Sequence, residues 1–341
     1  MKAGQFVSCA TLACVGLVLG SQAAPVTPGN ILVSVDGIID SSVVHEYTPG
    51  GVLVQSFPVE YGISPYPGNE GARDLAVKLG HTDVHVFNGT FDPYLSTLDS
   101  TDSTWTHQTM AGWSTVNNVS FGGAAVYGQY VFVTDMATSG DPEEGIIRFD
   151  TTGGGPVRFA TSIEPSDVNI GLNGMVYALE NGTVHIYDPD TLVFQQSIDL
   201  ATALGIGTGD IRSIAANAAG QMFAVDWNGN LYKTDTSGNS LLSVDLFALG
   251  HAQSDSLMDV DVSNSGTVVV GDFGSGVVIT NENFSTFTSF VSGTLGAFVA
   301  AASYTSADLP LSPVAAVLLA VALVAVSLVT QRRMQQHSQD H

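Results

Sequence analysis

The chain has 341 residues, with 9 Lys or Arg against 32 Asp or Glu, and its net charge is −23 at neutral pH. Residues 24–330 hold 6 of the basic and 31 of the acidic residues, so this segment alone carries −25. Such a surface repels nucleic acid and anionic lipid and attracts cations and basic partners, which excludes a nucleic-acid-binding protein. Solubility in a saline or extracellular setting is the simpler explanation of the charge.

The N-terminus has the pattern of a secretory signal peptide, which we place at residues 1–23. Lys2 precedes an apolar run from Phe6 to Leu19, and Ser21-Gln22-Ala23 is a small-x-small cleavage site. Cleavage after Ala23 removes Cys9 and Cys14, the two cysteines of the chain. The mature protein is therefore expected to have no disulfide and no cysteine-ligated metal.

The body of the chain, residues 24–304, is predicted to consist of short β-strands in sets of four. The clearest set lies at residues 211–246, where Trp227-Asn228-Gly229 is the strongest of several turn signals between apolar runs. The predicted strands are 31–35, 42–47, 52–57, 73–77, 84–87, 94–99, 105–107, 118–121, 130–135, 145–150, 157–159, 167–170, 175–178, 181–188, 194–198, 211–215, 221–226, 230–235, 241–246, 258–262, 267–270, 276–280, 287–290 and 297–304.

The spacing of these strands is typical of a β-propeller. Third strands of successive sets end at Asp99, Asp150, Asp188, Asp235 and Asn281, at intervals of 51, 38, 47 and 46 residues. A period in the mid-forties with four strands per unit indicates propeller blades. The first set has only three strands, and the last strand of the chain can complete it and close the ring. We therefore predict an all-β, six-bladed propeller; seven blades would need one hidden in the longer loops.

The C-terminus carries a second membrane signal. After a linker at residues 305–312, residues 313–330 form an uncharged apolar segment long enough for one transmembrane helix. Arg332 and Arg333 follow, and the positive-inside rule assigns residues 331–341 to the cytoplasm. The expected protein is exported to the cell surface or periplasm and held there by a single membrane span.

Acidic residues near the innermost strands suggest a cation site. Asp74, Asp167, Asp210 and Asp259 precede or begin those strands, with Asn118 at the corresponding place in the third blade. Innermost strands line the central channel of a propeller, so a carboxylate ring there, with Asp261, is a candidate Ca²⁺ site. The alternative is that these side chains cap local turns by accepting backbone N–H bonds.

Other motifs favour structural roles. No Gly-x-Ser-x-Gly elbow nominates a nucleophile, and His81 with His85 lacks a third zinc ligand. Trp105, Trp113 and Trp227 either stack on sugar rings or pack between blades, and only their place on the fold decides between these roles.

Two stretches resemble known families. The run from Gly229 to Gly238, echoed by Gly182 to Thr191, resembles the repeats of YncE-like and NHL-type bacterial propellers. Some of those relatives are lyases or lactonases, but their catalytic residues have no matching positions here, so the resemblance implies fold alone. The tail resembles the sorting signal of PEP-CTERM exported proteins, with Leu309-Pro310-Leu311-Ser312-Pro313 where Val-Pro-Glu-Pro is expected. A plain single-span anchor explains the same residues.

Two functions are consistent with this pattern. The first is a surface-displayed binding or scaffold module whose propeller faces contact a protein, glycan or matrix component. The alternative is a hydrolase or lyase that uses a divalent cation in the channel.

Overall fold

The computed structural model describes residues 26–27, 29–35, 43–58, 72–77, 84–88, 94–99, 104–109, 123–135, 145–152, 155–160, 162–252, 257–272, 276–290 and 297–302. The predicted signal peptide, linker, membrane span and tail lie outside these residues. Among the residues within these ranges, no helix is long and apolar enough to cross a bilayer.

The described chain is built almost entirely of β-strands. They are β1 (Asn30–Val35), β2 (Val43–Tyr47), β3 (Leu53–Pro58), β4 (Ala72–Val77), β5 (Val84–Asn88), β6 (Tyr94–Asp99), β7 (Thr104–Thr109), β8 (Ala124–Tyr127), β9 (Tyr130–Asp135), β10 (Gly145–Asp150), β11 (Val157–Phe159), β12 (Asp167–Ile170), β13 (Val176–Glu180), β14 (Thr183–Tyr187), β15 (Phe194–Asp199), β16 (Ile211–Ala216), β17 (Met222–Asp226), β18 (Asn230–Thr234), β19 (Ser240–Asp245), β20 (Leu257–Val262), β21 (Thr267–Asp272), β22 (Gly276–Asn281), β23 (Phe287–Phe290) and β24 (Ala297–Ala302). One short helix, α1 (Leu200–Leu204), follows β15.

These strands form six four-stranded antiparallel sheets, here called blades 1 to 6. Blade 1 has the order β24-β1-β2-β3, and blades 2 to 6 take β4–β7, β8–β11, β12–β15, β16–β19 and β20–β23 in sequence order. The innermost strands are β24, β4, β8, β12, β16 and β20, and each contacts the innermost strand of the next blade around a closed ring. The six-bladed propeller predicted from the sequence is therefore confirmed.

The ring closes where the last strand completes the first blade. β24 pairs with β1 in an antiparallel register that places Val299 opposite Val33. This pairing, predicted from the spare strand of the sequence, removes the unpaired edges that β1 and β24 would otherwise expose.

The third blade begins later than predicted. Its innermost strand is β8, and the segment 118–121 expected there lies outside the described residues. Gly128 and Gln129 link β8 to β9, with Gly128 in the left-handed region at φ 57°. Such a two-residue turn aligns Tyr127 with Tyr130, so the strand before it is the short apolar run Ala124–Tyr127.

The core lies between neighbouring blades, because their middle strands are covered on both faces. All five residues of β17 are buried, whereas the outermost strand β19 of the same blade is largely exposed. Between blades 5 and 6, Phe223 and Leu231 pack with Val270 and Val278. Apolar packing of this kind holds each blade against the next around the ring.

Candidate functional sites at the axis and on the upper rim

The innermost strands bring four of the five predicted site residues to one small cavity at the propeller axis. Asp74, Asp167, Asp259 and Asp261 contribute to its lining. The cavity has a volume of about 50 Å³, which is room for a few waters. Asp74, Asp167 and Asp259 are each less than a tenth exposed.

The carboxylate of Asp74 joins two blades. Its Oδ1 accepts the backbone N–H of Leu75 on its own strand, at 2.7 Å. Its Oδ2 accepts the backbone N–H of Ala124 on β8, the innermost strand of the next blade. These hydrogen bonds occupy both oxygens with donors that strand pairing leaves unused.

Asp167 repeats the arrangement one blade further on. Its Oδ2 accepts the N–H of Ile214 on β16 at 3.0 Å, and its carboxylate also accepts hydrogen bonds from Val168 N–H and Ser213. Ser213 continues the pattern from β16 to blade 6. Its hydroxyl donates to Asp259 Oδ1 at 2.8 Å and accepts the N–H of Val260 at 3.2 Å.

Gly123 occupies the corresponding position just before β8. A Cβ atom there would lie 2.5 Å from Asp167 Oδ1 and 2.8 Å from the backbone nitrogen of Val168. Contacts that short are not tolerated, so only glycine fits against blade 4 at this position. Asp74, Gly123, Asp167, Ser213 and Asp259 thus form a series of small or acidic residues, here called the axial series, that links blades 2 to 6.

Burial shifts the protonation of the axial series. Desolvation, with the carboxylates of Asp259 and Asp167 nearby, raises the pKa of Asp74 well above its usual range. Desolvation and the charge of Asp259 raise the pKa of Asp167 to about 7, although its hydrogen bonds oppose the shift. Like charges in one buried site cannot all ionise cheaply, so the series retains protons near neutral pH.

Asp210 does not belong to this series, contrary to the position expected for it. The register of β16 shifts between Ile211 and Ser213, as those of β4 and β20 shift just before Asp74 and Asp259, so Ser213 takes the position of those aspartates and Asp210 precedes it in the chain. Asp210 Oδ2 instead accepts the N–H of Gly207 at 3.1 Å, as the turn-capping alternative described. Sequence reasoning also missed Ser213 and Gly123, because neither carries a charge that marks the channel.

The metal role of Asp74, Asp167, Asp210, Asp259 and Asp261 stays a prediction. Within the described ranges, no three His, Cys, Asp or Glu side chains are grouped closely enough to hold a metal ion. Melting the protein in excess EDTA and then in millimolar Ca²⁺ tests the prediction. Ca²⁺ bound to the folded state at about 100 times its Kd adds roughly 2.7 kcal/mol, and an unchanged melting temperature would contradict the site.

A second candidate site lies at one end of the propeller, here called the upper face, where second strands turn into third strands. Arg212 is the residue that the bulge of β16 leaves unpaired with β17, and its side chain is exposed. Its guanidinium lies over the ring of Trp227, 4.4 Å from the ring centre. Trp227 begins the turn between β17 and β18, and its backbone N–H donates to the backbone carbonyl of Asp210 at 2.8 Å.

Two exposed apolar side chains lie on the same face, and the Cβ atom of Phe247 is 2.9 Å from a Cβ atom built on Gly229, in the turn that Trp227 begins. Phe247 is 51% exposed and Leu249 is 53% exposed, both in the loop between blades 5 and 6. The N–H of Leu246 donates to the carbonyl of Gly229 at 2.9 Å, which fixes that loop against the turn containing Trp227. Arg212, Trp227, Phe247 and Leu249 are here called the upper patch.

The remaining tryptophan and histidine candidates divide between the core and the undescribed residues. Trp105 packs against a buried cluster between blades 1 and 2, which is the structural role considered for it. His85 is buried, with its Nδ1 2.9 Å from the hydroxyl of Thr97. His81 and Trp113 lie outside the described residues. Of the tryptophan candidates that the structure describes, Trp227 is the one at a face of the propeller.

No protein-family model matches the chain, and no curated protein sequence matches it. Solved structures do share its fold. A chain from a nidogen/laminin complex has 12% identity over 81% of this chain and 99% of that one, with a TM-score of 0.56. A streptogramin B lyase has 11% identity over 78% and 88%, with a TM-score of 0.50. A Bacteroides caccae protein of unknown function has 12% identity over 82% and 96%, with a TM-score of 0.48. At these identities the similarity to the nidogen/laminin chain and to the streptogramin B lyase shows the β-propeller fold alone.

Proposed function

We propose that the chain is an exported, membrane-anchored β-propeller that binds a protein partner through its upper patch. Residues 1–23 direct export, and residues 313–330 hold the propeller at the cell surface with its faces outside. The partner contacts Arg212, Trp227, Phe247 and Leu249 where blades 5 and 6 meet.

The observation that carries this proposal is the composition and exposure of the upper patch. Trp and Arg are the residues that most often dominate binding energy at protein interfaces, and Phe is enriched there. Phe247 and Leu249 leave half of their surfaces in water, although the blade core next to them is closed. Covering these side chains with a partner would remove that apolar surface from water.

The axial series holds the blades together, which leaves recognition to the faces of the propeller. Carboxylates that accept backbone N–H bonds from the next blade already serve the fold, so the residues left for recognition are those of the faces. The nidogen/laminin structure is a precedent for a propeller of this shape within a complex of two proteins.

Matched variants on opposite faces test the proposal. Phe247 on the upper face and Phe194 on the lower face are both 51% exposed, so Phe247→Ser and Phe194→Ser remove equal apolar surface from opposite ends of the propeller. The full chain and each variant are immobilised in mild detergent and incubated with an envelope fraction of the source cells. Bound proteins are then compared by quantitative mass spectrometry.

We expect at least one protein that the unchanged chain and Phe194→Ser retain and Phe247→Ser loses by tenfold or more, about 1.4 kcal/mol. If all three baits retain the same proteins to the same extent, or if none retains any, binding through the upper patch is wrong.

A further inference from the structure

Arg212 differs from the other described basic side chains in its lack of a polar partner. Arg158 pairs with Asp135 at 2.7 Å, and Lys233 pairs with Glu282 at 3.1 Å. Arg148 donates to the backbone carbonyls of Pro189 and Asp190. Among the described residues, Arg212 makes no hydrogen bond or ion pair, and its contact is the face of Trp227. Its five N–H donors are therefore available to a ligand.

The local backbone explains why this guanidinium points outward. A β-bulge inserts one unpaired residue, bends the strand and redirects that residue's side chain. Innermost strands β4 and β20 have the same register shift just before Asp74 and Asp259. The bulge is thus a repeated feature of the axis, and in blade 5 its extra residue is an arginine at the upper rim.

Stacking on Trp227 prepares Arg212 for a planar anion. A cation–π contact holds the guanidinium plane, which reduces the rotamer entropy lost when a ligand binds. The planar fork of arginine matches a carboxylate through two parallel hydrogen bonds, a geometry that lysine lacks. Phe247 and Leu249 supply an apolar border, and a partner that covers them would also exclude water from the ion pair.

Negative charges lie near this site, and hydrogen bonds within the fold hold their carboxylates in place. Asp210 accepts the N–H of Gly207, and the buried carboxylate of Asp226 accepts hydrogen bonds from Asn230 and from the hydroxyl of Tyr232. The axial carboxyls below retain protons near neutral pH because burial raises the pKa values of Asp74 and Asp167. Burial, the hydrogen bond to Asp226 and the charges of Asp226, Asp210 and Asp245 raise the pKa of Tyr232, so the field at the rim is negative and a carboxylate must be held by direct hydrogen bonds from Arg212.

We infer that Arg212, held against Trp227, binds a side-chain carboxylate of the partner, an Asp or Glu flanked by apolar residues that cover Phe247 and Leu249. This inference rests on the proposed function and adds the chemistry of the partner. Arg212 is then the residue that determines which protein surface the upper patch accepts, and Phe247 and Leu249 contribute apolar contact of low selectivity.

The test is selection from a phage-displayed library of random peptides on the immobilised full chain in mild detergent. Parallel selections use Arg212→Gln, Arg212→Lys, Arg212→Glu and, as the lower-face control, Phe194→Ser. Melting temperatures are compared first, because the exposed Arg212 side chain contributes no hydrogen bond to the fold. We expect all variants to melt within a few degrees of the unchanged protein.

The unchanged chain and Phe194→Ser should select peptides enriched in Asp or Glu next to aromatic or aliphatic residues. Those peptides should bind Arg212→Gln about tenfold or more weakly, and Arg212→Lys should fall between because it keeps the charge without the planar fork. Arg212→Glu should select Lys or Arg in place of the acids.

Several results would overturn the inference, and they separate it from the proposed function. Selected peptides that Phe247→Ser loses but that show no acidic enrichment would leave the upper patch as the binding surface and exclude carboxylate recognition by Arg212. Peptides that bind every variant equally would overturn both proposals. A selection that yields no binder to the unchanged chain would also count against both.

Discussion

The axis and the upper rim of this propeller use polar side chains in opposite ways. At the axis, Asp74 and Asp167 are buried, and their oxygens accept backbone N–H groups of the next blade. At the rim, Arg212 is exposed and contacts an aromatic face, with no polar partner among the described residues. The same strand, β16, supplies Ser213 to the first region and Arg212 to the second. The difference is that the axial carboxyls hold neighbouring blades together, whereas the Arg212 guanidinium is exposed to solvent, and recognition by Arg212 is our proposal.

The largest expected effect comes from adding a side chain at Gly123, where the axis leaves no room for a Cβ atom. Gly123→Val places new atoms against Asp167 Oδ1 and the backbone of Val168, so blade 3 must move away from blade 4 or the Asp167 carboxylate must leave the N–H of Ile214. We expect a loss of about 3 kcal/mol in the free energy of unfolding, at the upper end of overpacking costs. Urea denaturation measures it.

Gly209 offers the matched control near the rim. No atom lies within 4 Å of a Cβ built on Gly209, and its φ is outside the left-handed region. Gly209→Val should change the free energy of unfolding by less than about 1 kcal/mol. Equal losses for the two variants would contradict the close packing described for the axis.

The second largest effect is the change with pH in the stability that Asp167 contributes. Because the pKa of Asp167 is raised to about 7 in the folded protein, the folded state keeps a proton that the unfolded state loses above its ordinary value of 3.8. Stability from this residue therefore falls as the pH rises from about 4 to about 7. Asp167→Asn mimics the protonated form, since its amide can donate to the Ser213 hydroxyl.

Relative to the unchanged protein, Asp167→Asn should gain roughly 2 to 3 kcal/mol between about pH 5 and about pH 8. Thermal or urea denaturation at the two pH values checks this. A difference between the two proteins that does not vary with pH would show that Asp167 is ionised throughout the range.

A smaller effect on stability, with the opposite dependence on pH, is expected from a carboxylate at the surface. Asp199 caps α1 on the upper face, with Oδ1 accepting the N–H of Thr202 at 2.9 Å and Oδ2 accepting its hydroxyl at 2.7 Å. These bonds lower the pKa of Asp199, so its stabilising contribution is present above the ordinary carboxyl pKa and is lost as the pH falls through the lowered value.

Asp199→Ala should therefore destabilise the protein slightly at neutral pH and not at all in strong acid, because loss of a cap removes a modest part of the stability. Melting curves across the acid range measure the difference. Opposite slopes for Asp167→Asn and Asp199→Ala would separate the buried from the exposed carboxylates, and parallel slopes would contradict that separation.

The smallest effect on stability is expected at the upper patch. Phe247→Ser and Phe194→Ser each change a half-exposed side chain, so each should lower the free energy of unfolding by no more than about 1 kcal/mol, with Phe194→Ser the more costly because its ring contacts that of Tyr187 at 5.7 Å. Denaturation of both variants gives this value beside the binding comparison. A large loss for Phe247→Ser alone would make Phe247 a residue of the fold and remove the main support for the binding surface.

The sequence by itself determined the architecture, because β-strand periodicity and turn chemistry are local properties of the chain. Asn228-Gly229 between two apolar runs, the period in the mid-forties and the spare strand 297–304 were sufficient to predict six blades and the pairing that closes them. It also marked Asp74, Asp167, Asp259 and Asp261 as residues near the channel, since they precede or lie in innermost strands.

Only the tertiary structure decided what those residues contact. Ser213, and not Asp210, takes the axial position in blade 5, and the bulge just before Ser213 leaves Arg212 unpaired with β17; no local pattern distinguishes that bulge from a regular strand. The need for glycine at 123 arises from Asp167, which is 44 residues later in the chain and belongs to the next blade. Hydrogen bonds between blades, the raised pKa values that burial causes and the half-exposed phenylalanine at 247 all depend on which surfaces meet around the ring, and such long-range proximity is a property of the folded chain.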